Sequence, residues 1–140
     1  MIPDTDNSLA LRTDYSDEAA WKALCTAIQE PDPVHGFSAH FHFVSSPEYD
    51  RLTGDKLVAA LSEGSRRWYA FVIDSVTLSH PDRPVLVIDL NQHGEPGRTF
   101  RVIPSEIWAV ENNLWLANMD FCEFADSVGR DGIFRGFPKT

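Results

Sequence analysis

Apolar positions recur at helical spacing between residues 20 and 28, where Ala20, Trp21, Leu24, Cys25 and Ile28 line one side of a turn-by-turn pattern. Ser16 stands just ahead of them and is expected to open the helix, with Asp17 and Glu18 in the first turn, where the helix dipole favours acidic charge. "EPDPVHG" stops the helix in a surface loop. Upstream, "LALRTD" (9–14) reads as a short strand and residues 1–8 as a flexible polar tail. "AHFHFV" (39–44) alternates, as a half-buried strand does, with Phe41 and Phe43 on one face. Ser46-Pro47 then starts a short helical turn, and "GDKLVAALSEG" a second helix ending near Gly64. "WYAFVID" (68–74) and "VLVIDL" (85–90) are almost unbroken apolar runs, the mark of strands covered on both faces. A turn-rich connection, "NQHGEPGR", links the latter to "TFRVI", which predicts an antiparallel hairpin.

"EIWAV" and "LWLANM" flank Glu111-Asn112-Asn113, and a two-residue turn at Asn112-Asn113 predicts a second hairpin, with Val110 facing Trp115 and Trp108 facing Ala117. Asp120 with Glu123 three residues on has the form of a capping box, and Phe121, Phe124, Ala125 and Val128 supply the apolar side of the helix behind it. "GIFRGF" closes the chain as an aromatic segment lying back on the body. These elements predict one globular α+β domain over residues 9–137. Its sheet, mostly antiparallel or mixed, has about six strands, with two to three helices packed on it.

Composition narrows the function classes. A chain of 140 residues with 43% hydrophobic and 24% charged residues is long enough to bury a core unaided. Against 12 Lys and Arg stand 21 Asp and Glu, a formal charge of −9 that repels phosphate backbones and anionic membranes and favours a basic protein partner. Nucleic acid and membrane are therefore not expected partners. Cys25 and Cys122 lack CxxC spacing and read as reduced core thiols. "MIPDTDNS" has neither the basic nor the apolar region of a secretory signal, so the cytoplasm is the expected compartment.

Candidate chemistry is sparse. The sequence has no phosphate-cradling GxxxxGK, no GxGxxG, no HExxH and no GxSxG, so no cofactor and no catalytic residue is assigned. His40 and His42, two apart on a strand, point the same way and form a weak alternative metal pair; the competing reading has them facing water while the phenylalanines face the core. Asp14, Asp74 and Asp89 each follow an apolar strand, where carboxylates converge on a metal or act as acid and base, or make ordinary caps. Trp108 and Trp115 fall on one face of the drawn hairpin, beside acids. This makes Glu111, Asn112, Asn113 and Trp115 the candidate partner-binding residues.

"LRTDYSDEAAWKALCTAI", "YDRLTGDKL" and "RTFRVIPSEIWAVENNLWLANMDFCEFAD", followed by "GIFRGF", resemble in that order a family of small uncharacterised proteins, a domain of unknown function, from high-GC Gram-positive bacteria. The resemblance runs from about Leu9 to Phe137. It implies a single domain of cytoplasmic bacterial origin and supplies no catalytic residues. The function expected from the residues is a non-enzymatic acidic binding module that occludes a basic protein, by analogy of size and charge with toxin-neutralising immunity proteins. The alternative is a metal-dependent enzyme or small-ligand-binding accessory domain built on Asp14, Asp74, Asp89 and His40/His42.

Overall fold

A computed structural model describes residues 2–64 and 66–138. Six strands form one mixed sheet in the order β2-β1-β3-β4-β5-β6. They are β1 Ser8–Arg12, β2 Phe41–Val44, β3 Tyr69–Ile73, β4 Val85–Asp89, β5 Thr99–Val102 and β6 Ile133–Phe134. β1 pairs in parallel with both β2 and β3, and β5 with β6, whereas β4 runs antiparallel to both its neighbours. The helices are α1 Glu18–Gln29, α2 Gly54–Ser62, α3 Ser75–Ser79, α4 Ile107–Trp115 and α5 Phe121–Ala125. The fold is thus single-domain α+β, as expected, with three helices of nine residues or more and two of five.

The chain leaves β1 through α1 to reach β2, then returns past β1 through α2 to reach β3. Right-handed crossovers in opposite directions must use opposite faces of the sheet, and they do. Trp21, Leu24 and Ile28 of α1 pack with Phe71, Val87 and Phe100 on one face; Leu57 and Leu61 of α2 pack with Leu11, Val72 and Ile88 on the other. α4 and α5 join α1 on the first face through Ile107, Val110, Phe121 and Phe124. This two-sided cover explains the unbroken apolar run of β3, four of whose five residues are fully buried.

Several expectations change. Asp17, not Ser16, caps α1, its Oδ1 accepting from the Ala20 N–H at 2.9 Å. The expected tail is held: Ile2 is buried in the second core, and the Pro3 carbonyl accepts from Arg67 at 3.0 Å. Most importantly, residues 107–115 are a helix and not one arm of a hairpin. Ile107, Val110 and Leu114, three and four apart, turn toward the core, and a 3₁₀ turn at Pro104–Glu106 leads into them. Asn112 and Asn113 lie inside α4, which ends at Trp115 and is closed by a Schellman motif. Ala117 N–H donates to Leu114 C=O at 3.2 Å and Asn118 N–H to Asn113 C=O at 3.0 Å, with Ala117 at φ +56°. The anticipated cap of α5 is present, Glu123 Oε2 accepting from the Asp120 N–H at 2.8 Å.

An alanine in the left-handed region pays a steric cost that glycine avoids. Ala117→Gly should therefore raise stability by about 1 kcal/mol, read as a higher urea midpoint at unchanged slope. A lower midpoint would show that the methyl group makes packing contacts worth more than the strain.

Candidate functional site

Two regions at opposite ends of the sheet gather the residues singled out by the sequence. The first lies beyond the carboxyl ends of β1 and β3, where α1 and α2 depart to opposite faces. In open α/β sheets ligands favour this topological switch point. A cleft of about 490 Å³ opens there, lined by Asp14, Ser16, Arg51, Thr53, Asp74 and Ser75 among others. Asp14 and Asp74 therefore do meet in one crevice. Both are engaged, however. Asp14 Oδ1 accepts from the N–H and hydroxyl of Ser16 at 2.7 and 2.6 Å. Asp74 takes both guanidinium nitrogens of Arg101, at 2.9 and 2.7 Å, and caps α3 by accepting from the Thr77 N–H at 3.1 Å. Burial alone would raise the Asp74 pKa, but the Arg101 and Thr77 donors outweigh it and hold it below the ordinary carboxylate range.

Asp89 does not join them. Because β4 runs antiparallel, its carboxyl end lies at the far end of the sheet, where Asp89 pairs in register with Tyr69 at the start of β3. His40 and His42 are both exposed at the β2 edge, and among the described residues no group of three or more His, Cys, Asp or Glu is placed to hold a metal. The three aspartates and two histidines thus do not form one site.

The second region is the aromatic end. Trp68, just ahead of β3, is 61% exposed; Trp115 and Leu116, at the end of α4, are 56% and 57% exposed. Two adjoining clefts share Trp68, Tyr69, Leu114 and Ala117. The larger, about 490 Å³, runs along residues 4–9 past Arg66, Arg67 and Trp115. The smaller, about 290 Å³, lies between the Tyr69–Asp89 end of the sheet and the α4–α5 corner. Trp115 is exposed but fixed, its Nε1 donating to the Asp6 carbonyl at 2.8 Å.

What positions this end is a buried carboxylate. Glu111, 1% exposed, accepts from the Ser8 hydroxyl at 2.7 Å, from the His40 backbone N–H at 2.6 Å and from Asn112 Nδ2 at 3.2 Å. Since Ser8 donates to Glu111, its 2.7 Å contact with Tyr69 is left to the phenol to donate. Burial, reinforced by the Glu111 charge, pushes the Tyr69 pKa up to about 12, so the phenol keeps its proton at neutral pH.

Of the four candidate partner-binding residues, Trp115 is exposed, Asn112 and Asn113 are half-buried and Glu111 is buried. Asn112 also donates to the Ser38 carbonyl at 3.0 Å, and Asn113 folds back on the Ala109 carbonyl at 2.8 Å. Trp68 and Leu116 were not singled out from the sequence. The available signal for Trp68 was its place directly after Arg66-Arg67, at the polar edge of an apolar run.

Removing the buried acceptor strands at least two donors, so Glu111→Ala should cost about 3 kcal/mol in chemical denaturation. A cost below about 1 kcal/mol would mean that water replaces the carboxylate. A pH series tests Asp74. Its folded pKa is depressed, so its contribution is complete above the unfolded value of about 3.9 and is lost as pH falls through the folded one. The advantage of the native chain over Asp74→Asn, about 2 kcal/mol at neutral pH, should shrink to nothing under acid, and a constant difference would contradict the ion pair.

No curated protein sequence matches the chain. A family model does match residues 7–137, a span that takes in every strand and helix described above, and by that match the chain belongs to DUF6924, a family defined as a domain of unknown function.

Proposed function

We propose that this domain is a non-enzymatic binding module that occludes a basic protein partner through the Trp68–Trp115–Leu116 end. The observation that carries the reading is the clustering of two exposed tryptophans around shared clefts, one of them pinned by its indole N–H. Interface energy concentrates in aromatic anchors of this kind, and an anchor already held in place loses little freedom on binding. The formal charge of −9 favours a basic partner and speeds encounter, while the aromatic contacts slow release. A bacterial cytoplasmic setting is part of the same reading and rests on the sequence resemblance. No described helix is long and apolar enough to cross a membrane. A small-ligand or enzymatic role at the switch-point crevice draws on the meeting of Asp14 and Asp74 there. It stands second because both carboxylates are already engaged by neighbouring donors.

The test is affinity capture from native lysate with the unmodified chain and with Trp68→Ala/Trp115→Ala, at low and high salt. One basic protein should be retained at low salt, weakened at high salt and lost by the double variant. The melting temperature should fall only slightly, since Trp115 gives up one hydrogen bond worth about 1 kcal/mol. Equal retention by the double variant would reject this surface, and an acidic partner would reject the charge argument.

A further inference from the structure

Asp89, like Glu111, is a buried carboxylate that none of the described ion pairs neutralises. It is 4% exposed, and it winds the β4–β5 loop around itself: Oδ1 accepts from the Asn91 N–H and Oδ2 from the Glu95 N–H, each at 2.9 Å. Position 94 must be glycine for this, because a Cβ there would stand 2.9 Å from Oδ2. A carboxylate has about four acceptor positions, and these two bonds fill half of them. Asp74, by contrast, is neutralised by Arg101, and no described Lys or Arg pairs with Asp89. A buried carboxylate is costly unless neutral donors or a cation satisfy it; Glu111 has three donors, whereas Asp89 has only the two loop N–H groups, which leaves room for a cation.

The surroundings of Asp89 point to what that cation is. It lies in the wall of the smaller cleft, whose other walls are Trp68, Tyr69, Leu114, Met119 and Phe121. Asp120 and Glu95 stand in the same lining, with Glu95 tied to Arg98 at 3.1 Å, and His93 is the only basic side chain there. At about 290 Å³ the space suits one long side chain and is small for a cofactor. An aromatic wall beside a carboxylate whose two oxygens each accept one loop N–H matches a planar guanidinium, which stacks on the ring and donates two parallel bonds. An ammonium is more strongly hydrated and cannot make the fork.

We propose that this cleft takes an arginine side chain of the basic partner, its guanidinium bridging Asp89 and stacking on Trp68. The inference rests on the binding reading above and names its anchor.

The experiment titrates N-acetyl-arginine methylamide into the labelled protein and follows the backbone amides of Asn91 and Glu95 and the Trp68 indole by NMR. The blocked lysine and citrulline analogues serve as controls. Saturable shifts confined to this cleft are expected, with arginine about tenfold tighter than lysine and citrulline without effect. Trp68→Ala should weaken binding about tenfold, and Asp89→Asn should abolish it. If Asp89→Asn unfolds the loop, Trp68→Ala still decides, because its side chain is exposed. Absent saturation, equal binding of citrulline, or indifference to Trp68→Ala overturns the proposal. The two readings fail separately: capture that depends on Trp115 without arginine binding sinks the cleft alone, whereas arginine binding without a captured partner sinks the module and leaves the cleft standing.

Discussion

The charge of Glu111 is accommodated by donors from three places far apart in the sequence: the Ser8 hydroxyl on β1, the His40 N–H at the entry to β2, and Asn112 on α4 itself. A buried carboxylate lacking these partners would cost several kcal/mol, so the helix is stable in one setting against the sheet and not in a neighbouring one. That setting fixes which residues of α4 face in and which face out. Leu114 closes on the core, and Trp115 and Leu116 emerge beside Trp68. The same carboxylate orients Ser8 and, through it, Tyr69, which borders both clefts. The aromatic end is therefore a consequence of an interior polar contact, although nothing at the surface reveals it.

The sheet imposes a second constraint. The excursion from β1 to β2 and back to β3 puts α1 and α2 on opposite faces and leaves a crevice at their departure. Arg101 reaches from β5 to Asp74 at that end, holding the start of α3 against the sheet. Arg12 does similar work on β1: it donates to the Asp14 carbonyl at 2.8 Å, and its guanidinium lies 4.3 and 4.8 Å from the rings of Tyr15 and Trp21. The carboxylates that catalysis there would use are thus occupied, Asp74 by Arg101 and Asp14 by Ser16.

Elements whose pattern has a single interpretation were legible in the sequence. α1 follows from its 3.6-residue repeat, β3 and β4 from their unbroken apolar runs, and the β4–β5 hairpin from its turn residues. Residues 107–115 fit two periods. Apolar residues on both sides of the polar Glu111-Asn112-Asn113 satisfy alternation and helical spacing alike, and Asn112-Asn113 resembled a turn while the true stop, Ala117, has no glycine to announce it. The decisive cue was Glu111, one helical turn after Ile107 and in need of interior donors that only tertiary structure supplies. For the site, Trp115 was legible as an aromatic among acids. Trp68 was not, because adjacency to a buried strand says nothing about whether its first residue is covered. The separation of Asp89 from Asp14 and Asp74 is likewise a matter of strand direction, which residue pattern alone does not encode.

That single reversed strand has an electrostatic consequence. Had β4 run parallel to β3, all three strand-end carboxylates would crowd one edge of the sheet, where like charges a few ångströms apart cannot all stay ionised. With β4 inverted, Asp89 stands at the opposite end of the sheet from Asp14 and Asp74. A protein with so large an excess of acids thereby spreads its negative field over both ends of the sheet instead of concentrating it at one.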